Sequence, residues 1–476
     1  MSVQFWMLAA FLILAFAMGG GARSDIQSLI ILRPVAALTC GVAFLTLQWE
    51  HIRTHRILFG FAVALILIVA LQLVPLPPAV WQALPGRAVI ADIDAAVGLK
   101  GNWRPLSMAP PATWNALYAL LVPLAVLLLG VQLPREDRFR LLPLIVALGM
   151  VSGLLGLLQV TSGRNSSLYF YEITNPGAAV GLFSNRNHQG LLLASLYPLL
   201  AVFAWAGLHT LDQARLRLAL AMASGLVLVP LILVTDSRAG LALGLLGLLS
   251  VPFLYRRPKV DDVAKRQRRM RSPLIPGLLG GCGVIGLGLL ATLFSRAGAL
   301  DRLTATGQEN DLRFRVWGPI VDMAWRYFPF GSGAGTFDKV FQLNEPDALL
   351  KPTYLNHAHN DWLEVLLTNG VLGSALIGAG AIAWAVASAN YWFRGDGKLR
   401  EIAYARMGSI VLLLTGLASI TDYPLRTPSL ACLAMVAAIW LRGGARDIAT
   451  TGSGQPKNSG TTSQSRLAAR NGLEGK

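Results

Sequence analysis

Apolar stretches of membrane-spanning length recur along almost the whole chain. About 20 apolar residues in an α-helix cross the roughly 30 Å hydrocarbon core of a bilayer. Windows of this kind lie at 3–20, 29–47, 57–75, 113–132, 139–160, 188–208, 216–235, 239–255, 273–294, 363–388, 404–421 and 427–441. Backbone amides find no water inside lipid, and no segment shows the two-residue alternation of a barrel strand, so the windows predict α-helices. The chain is therefore predicted to be all-α, a polytopic bundle of about 12 transmembrane helices.

Composition supports a membrane protein and excludes several other classes. Hydrophobic residues make up 54% of the chain and charged residues 14%, against roughly 25% charged residues in soluble proteins. Lys and Arg number 41 and Asp and Glu 25, a net charge of +16 that cationic cytoplasmic loops explain. Cys40, Cys282 and Cys432 each lie in an apolar run, which argues against disulfides or a zinc site. A soluble enzyme, a secreted disulfide scaffold and a zinc finger are thereby excluded.

The cations also predict a sidedness for the helices. The basic run at 256–271 is short and borders a span, so the positive-inside rule places it in the cytoplasm. Both chain termini then face the cytoplasm, and a long loop at 295–362 lies on the outer side, between the ninth and tenth spans. The first window is predicted to remain a membrane helix rather than a cleaved signal peptide, because no cation precedes it and further spans follow. The basic run lacks the interleaved aromatics of a single-strand binder, so no nucleic-acid partner is predicted.

Three regions follow from this organisation. Residues 1–160 hold the first five predicted helices, and 161–445 form a core region that includes the outer loop 295–362. The tail at 446–476 is rich in Gly, Ser, Thr and Gln, a composition that cannot bury a core, and it is predicted to be disordered.

Arginines at the predicted outer boundary are candidate functional groups, because cations near hydrocarbon are costly. Arg238 lies in a very short connection between two spans, and Arg186 precedes the sixth span. Arg313 and Arg315 open a predicted amphipathic helix in the outer loop. Structural explanations stay open for each: snorkelling to the interface, helix capping by the neighbouring Asn and Ser residues, or, for Arg238, pairing with Asp236.

The densest polar segment starts the tenth span and contains His357 and His359. Asp361 and Glu364 are spaced as a capping box, which places His359 just before the helix. The positive end of the helix disfavours imidazolium and attracts anions, so His359 is a candidate proton acceptor beside an anion site. No metal and no cofactor are predicted, since neither this pair of histidines nor the His51 and His55 pair has a convincing third ligand.

A glycine-rich segment at 329–337 precedes these histidines. It lacks the Gly-Lys-Ser/Thr ending of a phosphate-binding loop, so a plain turn is predicted.

The boundary motifs together resemble those of the O-antigen ligase and polymerase superfamily of bacterial membrane glycosyltransferases. The resemblance covers about 183–375 and rests on Phe183-Ser184-Asn185-Arg186-Asn187, Ser237-Arg238-Ala239-Gly240, Arg313-x-x-x-Trp317, Pro329-Phe330-Gly331-x-Gly333, His359-Asn360 with Trp362-Leu363-Glu364, and Asn369-Gly370-Val371-Leu372-Gly373. It implies an inner-membrane enzyme that transfers a glycan, without a metal, from an undecaprenyl-diphosphate carrier to an acceptor hydroxyl on the periplasmic face.

The resemblance also implies roles for individual residues. His359 matches the family's general base, and Arg238 and Arg313 match its diphosphate-binding arginines. Arg186 is a further candidate for the diphosphate, Arg315 competes with Arg313 for the position before the Trp, and His357 is assigned a supporting role.

The acceptor and even the reaction class stay open at the level of sequence. The acceptor hydroxyl belongs to lipid A–core in a ligase, to a growing glycan in a polymerase, and to a protein Ser or Thr in an O-oligosaccharyltransferase. A polytopic transporter or flippase for the lipid-linked glycan would use the same arginines without any chemistry.

Overall fold

A computed structural model describes residues 1–208, 210–257, 308–350, 354–393 and 400–443, with the side chains of 211 and 308–314 excluded. The predicted window 273–294, Cys282, nearly all of the basic run and the tail 446–476 lie outside the described residues. Seventeen α-helices are described. In chain order they are α1 Val3–Met18, α2 Leu29–Leu45, α3 Trp49–Thr54, α4 Arg56–Leu71, α5 Pro78–Gln82, α6 Ala88–Ala96, α7 Pro110–Ala119, α8 Leu121–Gln132, α9 Arg135–Ser162, α10 Arg186–Phe203, α11 Leu211–Leu233, α12 Arg238–Leu254, α13 Gln308–Tyr327, α14 Phe337–Asn344, α15 Asp361–Phe393, α16 Arg400–Thr421 and α17 Pro428–Gly443.

The all-α prediction is confirmed, and every predicted window except 273–294 overlaps a helix. Within the described ranges, five helical segments are long and apolar enough to cross a membrane: Pro110–Gln132, Arg135–Ser162, Asp212–Leu233, Asp361–Phe393 and Arg400–Thr421. Shorter apolar helices accompany them. The chain is thus a helical membrane protein, while the predicted count of 12 spans goes beyond what these helices establish.

Helix α10 lies at the centre of the bundle, with nearly all of its residues buried among α9, α11, α12 and α16. Its closest neighbour is α12, which it meets at a pair of glycines. A Cβ atom added to Gly190 would lie 2.7 Å from the Cα of Gly240. Because the two helices approach so closely near their N-terminal ends, the residues that precede α10 lie next to those that precede α12.

A second core lies under the helices of the predicted outer loop. Val316, Ile320 and Met323 on α13 pack with Phe337 and Phe341 on α14, and the cluster also contains Ala358 and Leu367. The predicted amphipathic helix around Arg313 is confirmed as α13, which buries its apolar side in this cluster.

The glycine-rich segment is not a plain turn, because its backbone pairs with a break in α15. The backbone amides of Ser332 and Gly333 donate to the carbonyls of Leu367 (3.0 Å) and Thr368 (2.8 Å). On the other side of the break, the amide of Val371 donates to the Pro329 carbonyl at 2.9 Å. The segment therefore supplies hydrogen-bond partners to backbone groups that an unbroken helix would satisfy itself.

Gly370 forms the break, with φ 57° and ψ −148°. We expect Gly370→Ala to lower the stability of the protein by about 2 kcal/mol or more, because an L side chain is strained in this conformation. The new Cβ would also overlap the Pro329 carbonyl oxygen. Thermal unfolding in detergent measures the change. Gly378→Ala, in the same helix with open space around its Cβ position, is the matched control, and an equal loss in both variants would contradict a special role for Gly370.

The segment 76–112, between the third and fourth predicted spans, contains more structure than the sequence indicated. Two short strands, β1 Pro75–Leu76 and β2 Arg104–Pro105, pair antiparallel, and α5 and α6 lie between them. Arg87, which is fully buried, donates to the carbonyls of Pro85 (2.7 Å), Leu106 (2.8 Å) and Gly331 (2.9 Å). Burial lowers the pKa of Arg87 to about 10, and these carbonyls stabilise the charge it keeps. The hydrogen bonds of Arg87 thus connect segment 76–112 to the glycine-rich segment.

Candidate functional site

Polar side chains from several helices meet at one end of the bundle, around Asp422. This residue follows the last residue of α16 and is 2% exposed. The helices α10, α12, α15 and α17 all begin at the same end. A buried carboxylate needs hydrogen-bond donors or cations around it, so the neighbours of Asp422 define the site.

Two asparagine side chains hold one oxygen of Asp422. The Nδ2 atoms of Asn185 and Asn187 donate to Asp422 Oδ2 at 3.0 and 2.6 Å. Asn185 is also the N-cap of α10, since its Oδ1 accepts the amide hydrogen of Asn187 at 2.9 Å. The capping role expected for this motif is therefore present, and the same side chain has a second contact that capping alone does not require.

The other oxygen of Asp422 faces two imidazoles. His359 Nδ1 lies 3.4 Å from Asp422 Oδ1, and His188 Nε2 lies 3.9 Å from it. His188 is held from its far side, where its Nδ1 lies 2.9 Å from Thr427 Oγ1. His359 is the more accessible of the two rings, with 17% of its side chain exposed against 1% for His188.

The network continues to the turn before α12. Ser237 Oγ donates to Asn187 Oδ1 at 2.6 Å and accepts the Gly240 amide hydrogen at 2.8 Å as the N-cap of α12. Arg238 is the next residue and is exposed. The Asn187 and Asp422 side chains therefore connect the Ser237-Arg238 motif to His359.

An aromatic ring lies among the histidines of the site. The ring centroid of Tyr423 is 4.4 Å from that of His357, 5.0 Å from that of His359 and 5.3 Å from that of His188. Tyr423 is mostly buried. The packing restricts how the three imidazoles can turn.

The predicted capping box at the start of α15 is wrong. Asn360, one residue earlier than predicted, caps the helix by accepting the amide hydrogen of Leu363 at 3.1 Å. The fully buried Glu364 instead binds the Ala358 amide (2.8 Å), His357 Nδ1 (3.0 Å) and Arg426 Nη1 (3.2 Å). Its carboxylate is held by a nearby cation and cannot also reach the N-cap backbone as a capping box requires.

Arg426, in the turn after α16, binds the carboxylates of both Glu364 and Asp361. Its Nε donates to Asp361 Oδ1 at 2.9 Å, and Ser419 Oγ donates to the other oxygen of Asp361 at 3.1 Å. Burial alone would lower the pKa of Arg426, but the carboxylates of Glu364 and Asp361 outweigh it, so this pKa lies above its usual value. The ion pairs fix the turn that carries Asp422 against the N-terminus of α15.

His359 has a left-handed backbone conformation, with φ 49°. Ala358 on one side is fully buried in the cluster that α13 and α14 form, and Asn360 on the other side caps α15. A non-glycine residue in this region costs of order 1 kcal/mol, and the neighbours on both sides hold it there. The conformation is what lets the chain bury Ala358 while His357 and His359 both contact Tyr423.

The remaining predicted residues are placed as follows. Arg186 Nη1 pairs with Asp236 Oδ2 at 2.9 Å, so Arg186 contacts the same turn that precedes Arg238. His357 Nδ1 lies 3.0 Å from Glu364 Oε1. Arg315 is exposed on α13, and the side chain of Arg313 lies outside the described residues. Across the described ranges, no three His, Cys, Asp or Glu side chains are grouped so as to hold a metal ion.

Asp422, Tyr423 and Arg426 were not identified from the sequence. They lie in the five-residue connection 422–426 between two apolar windows. A charged residue in so short a connection was the signal that singled out Arg238, and the same signal applies to Asp422 and Arg426.

Comparison with known families gives one match. No curated protein matches the chain. Residues 223–378, about a third of the chain, match the model of the family described as O-antigen ligase, and this range contains Ser237, Arg238, the glycine-rich segment and His359. The matched segment supports the resemblance to the O-antigen ligase and polymerase superfamily that the boundary motifs carry.

Proposed function

We propose that the protein transfers a glycan from an undecaprenyl-diphosphate carrier to an acceptor hydroxyl at the periplasmic face of the inner membrane. The observation that carries this proposal is the contact between His359 Nδ1 and Asp422 Oδ1 at 3.4 Å, in a network that ends beside Arg238. A carboxylate behind an imidazole is the arrangement by which proteins orient a histidine base.

In the proposed reaction, His359 is the general base. Nδ1 lies on the side of the ring toward Asp422, so in this proposal the Nε2 atom is the nitrogen that takes the proton of the acceptor hydroxyl. The hydroxyl oxygen forms a bond to the anomeric carbon as the bond from that carbon to the diphosphate oxygen breaks, and the electron pair leaves with the diphosphate. Asp422 stabilises the imidazolium that forms. A single displacement of this kind inverts the anomeric configuration.

The arginines serve the leaving group in this proposal. Arg238 is exposed at the N-terminus of α12, where backbone amides also favour an anion. A guanidinium matches two oxygens of a phosphate and stabilises the charge that develops on it. Arg186 and one of Arg313 or Arg315 are the further candidates for the diphosphate.

Reconstitution tests the proposal against a transporter. The purified protein in liposomes, given a polyprenyl-diphosphate-linked glycan and an acceptor glycolipid, is expected to form a new glycosidic bond and release the polyprenyl diphosphate, as detected by mass spectrometry. Movement of the lipid-linked glycan across the bilayer with no bond formed, over a panel of lipid A–core, glycan and peptide acceptors, would contradict the assigned chemistry. The acceptor that reacts identifies a ligase, a polymerase or a protein transferase.

Arg238→Lys is expected to lower the transfer rate by about tenfold to a hundredfold, because an ammonium cannot reproduce the two-pronged contact of guanidinium with a phosphate. Arg215→Lys is the matched control: Arg215 is an exposed residue of α11 near its N-terminus, where it faces Asp212 at 3.8 Å. Equal rates for the two variants in the liposome assay would contradict the assignment of Arg238 to diphosphate binding.

A further inference from the structure

A cavity lies at the opposite end of the bundle from Asp422. Tyr404, in the first turns of α16, lines it, whereas Asp422 follows the end of that 22-residue helix. A helix of this length spans about 33 Å. The cavity has a volume of about 650 Å³ and is separate from the site of the proposed reaction.

The charged side chains that line this cavity are mostly basic. Four arginines, two histidines and two glutamates line it: Arg53, Arg135, Arg138, Arg442, His51, His55, Glu50 and Glu401. Four fixed positive charges against two negative ones leave a cationic excess in a partly enclosed space. Such a space attracts an anion more strongly than an open surface does, because water screens the charges less.

Backbone contacts hold one of these cations in place. Arg138 Nε and Nη2 donate to the carbonyls of Leu133 (3.0 Å) and Val131 (3.3 Å) at the end of α8, which fixes its guanidinium. Arg442 Nε is enclosed, with no hydrogen-bond partner among the residues that the structure describes. Burial first, and then the charge of Arg138, lowers the pKa of His51, which agrees with a positive potential in the cavity.

Much of the remaining lining is apolar, although Thr54, Gln132 and Tyr404 also contribute. Leu133, Phe139, Ile439 and Trp440 form part of the wall, and the Trp440 indole is anchored by donating to the Arg138 carbonyl at 3.1 Å. A small hydrated anion would gain nothing from this wall. A ligand with both an anionic group and an apolar portion matches the arginines and this wall together.

We propose that this cavity binds the phosphate group of an anionic phospholipid, with Arg53, Arg138 and Arg442 around the phosphate and Trp440 beside the acyl chains. Basic pockets between transmembrane helices bind anionic headgroups in this way. A free phosphate ion offers the same charged group, and the experiment separates the two sources. The inference does not depend on glycan transfer.

Binding is measured on the full-length protein in neutral detergent, by native mass spectrometry and by the shift in its unfolding temperature. The ligands are phosphatidylglycerol, phosphatidylcholine and inorganic phosphate. We expect saturable binding of phosphatidylglycerol, weakened by about tenfold or more in the double variant Arg53→Gln/Arg442→Gln. The control double variant Arg56→Gln/Arg140→Gln removes the same charge at the same end of the bundle, from residues outside the lining, and should bind as the wild type does.

A variant with the opposite effect guards against misfolding as an explanation. Glu401 pairs with Arg135 at 3.1 Å, so Glu401→Gln removes a negative charge from the lining and is expected to tighten phosphatidylglycerol binding severalfold, which a damaged fold would not do. Binding of inorganic phosphate without phosphatidylglycerol would support the phosphate site and assign it a soluble ligand. Binding of neither, equal binding of phosphatidylcholine, or wild-type affinity in Arg53→Gln/Arg442→Gln would overturn the proposal.

Discussion

His359→Ala is expected to lower glycan transfer in the liposome assay by at least about a hundredfold. A positioned general base contributes about 10²- to 10⁴-fold to a rate, and His359 is the proposed base for the acceptor hydroxyl. Its imidazole faces Asp422 at 3.4 Å and remains partly exposed, so a substrate can reach it. Product formation is measured at saturating donor and acceptor, so that the loss reports on the reaction step rather than on binding.

A second substitution separates chemistry from backbone strain. An alanine at this position would inherit the left-handed φ of 49°, whereas Asn tolerates that region better than other non-glycine residues and also lacks a base. His359→Asn should therefore be as inactive as His359→Ala while unfolding at a temperature closer to that of the wild type. Activity in His359→Asn within a few fold of the wild type would rule out His359 as the base.

The positions of the helices could be predicted because lipid leaves the backbone few choices. An apolar run of spanning length must satisfy its own amides, so even Pro34 did not prevent α2 from forming over Leu29–Leu45. The segment 76–112 carries no such constraint. Its short strands and the buried Arg87 depend on contacts with Gly331, 244 residues away, which no local pattern reveals.

The site was only partly predictable for a related reason. His359 and Arg238 stand out locally, because each lies at the edge of an apolar helix. Asn187 did not stand out in this way, because a capping motif explains its place in the sequence. Its contact with Asp422 joins residues that are 235 positions apart, which no local pattern shows. Glu364 shows the same limit: its spacing from Asp361 fits a local cap, and the distant Arg426 decides its actual partners.

Asp422→Asn is expected to lower the transfer rate by at least about a hundredfold with little change in size or packing. The carbonyl oxygen of the substituted side chain could still accept from Asn185 and Asn187, and its amide group would then face His359 Nδ1. That nitrogen must accept a hydrogen bond from an amide, so the ring proton moves to Nε2 and the base is lost. The same tautomer argument explains why a carboxylate is needed behind a catalytic histidine.

The kinetic signature distinguishes positioning by Asp422 from a structural role. If Asp422 acts through His359, then kcat falls while KM for the lipid-linked donor stays close to that of the wild type, because the diphosphate contacts persist. Asp422→Glu keeps an acceptor for His359 Nδ1 and should retain more activity than Asp422→Asn. Asp338→Asn makes the same chemical change on α14, where Asp338 pairs with Lys339 at 3.3 Å, and is expected to stay within about twofold of the wild type. If Asp422→Asn loses activity because its unfolding temperature has fallen close to the assay temperature, the carboxylate serves the fold instead. If KM rises while kcat is unchanged, the carboxylate serves donor binding.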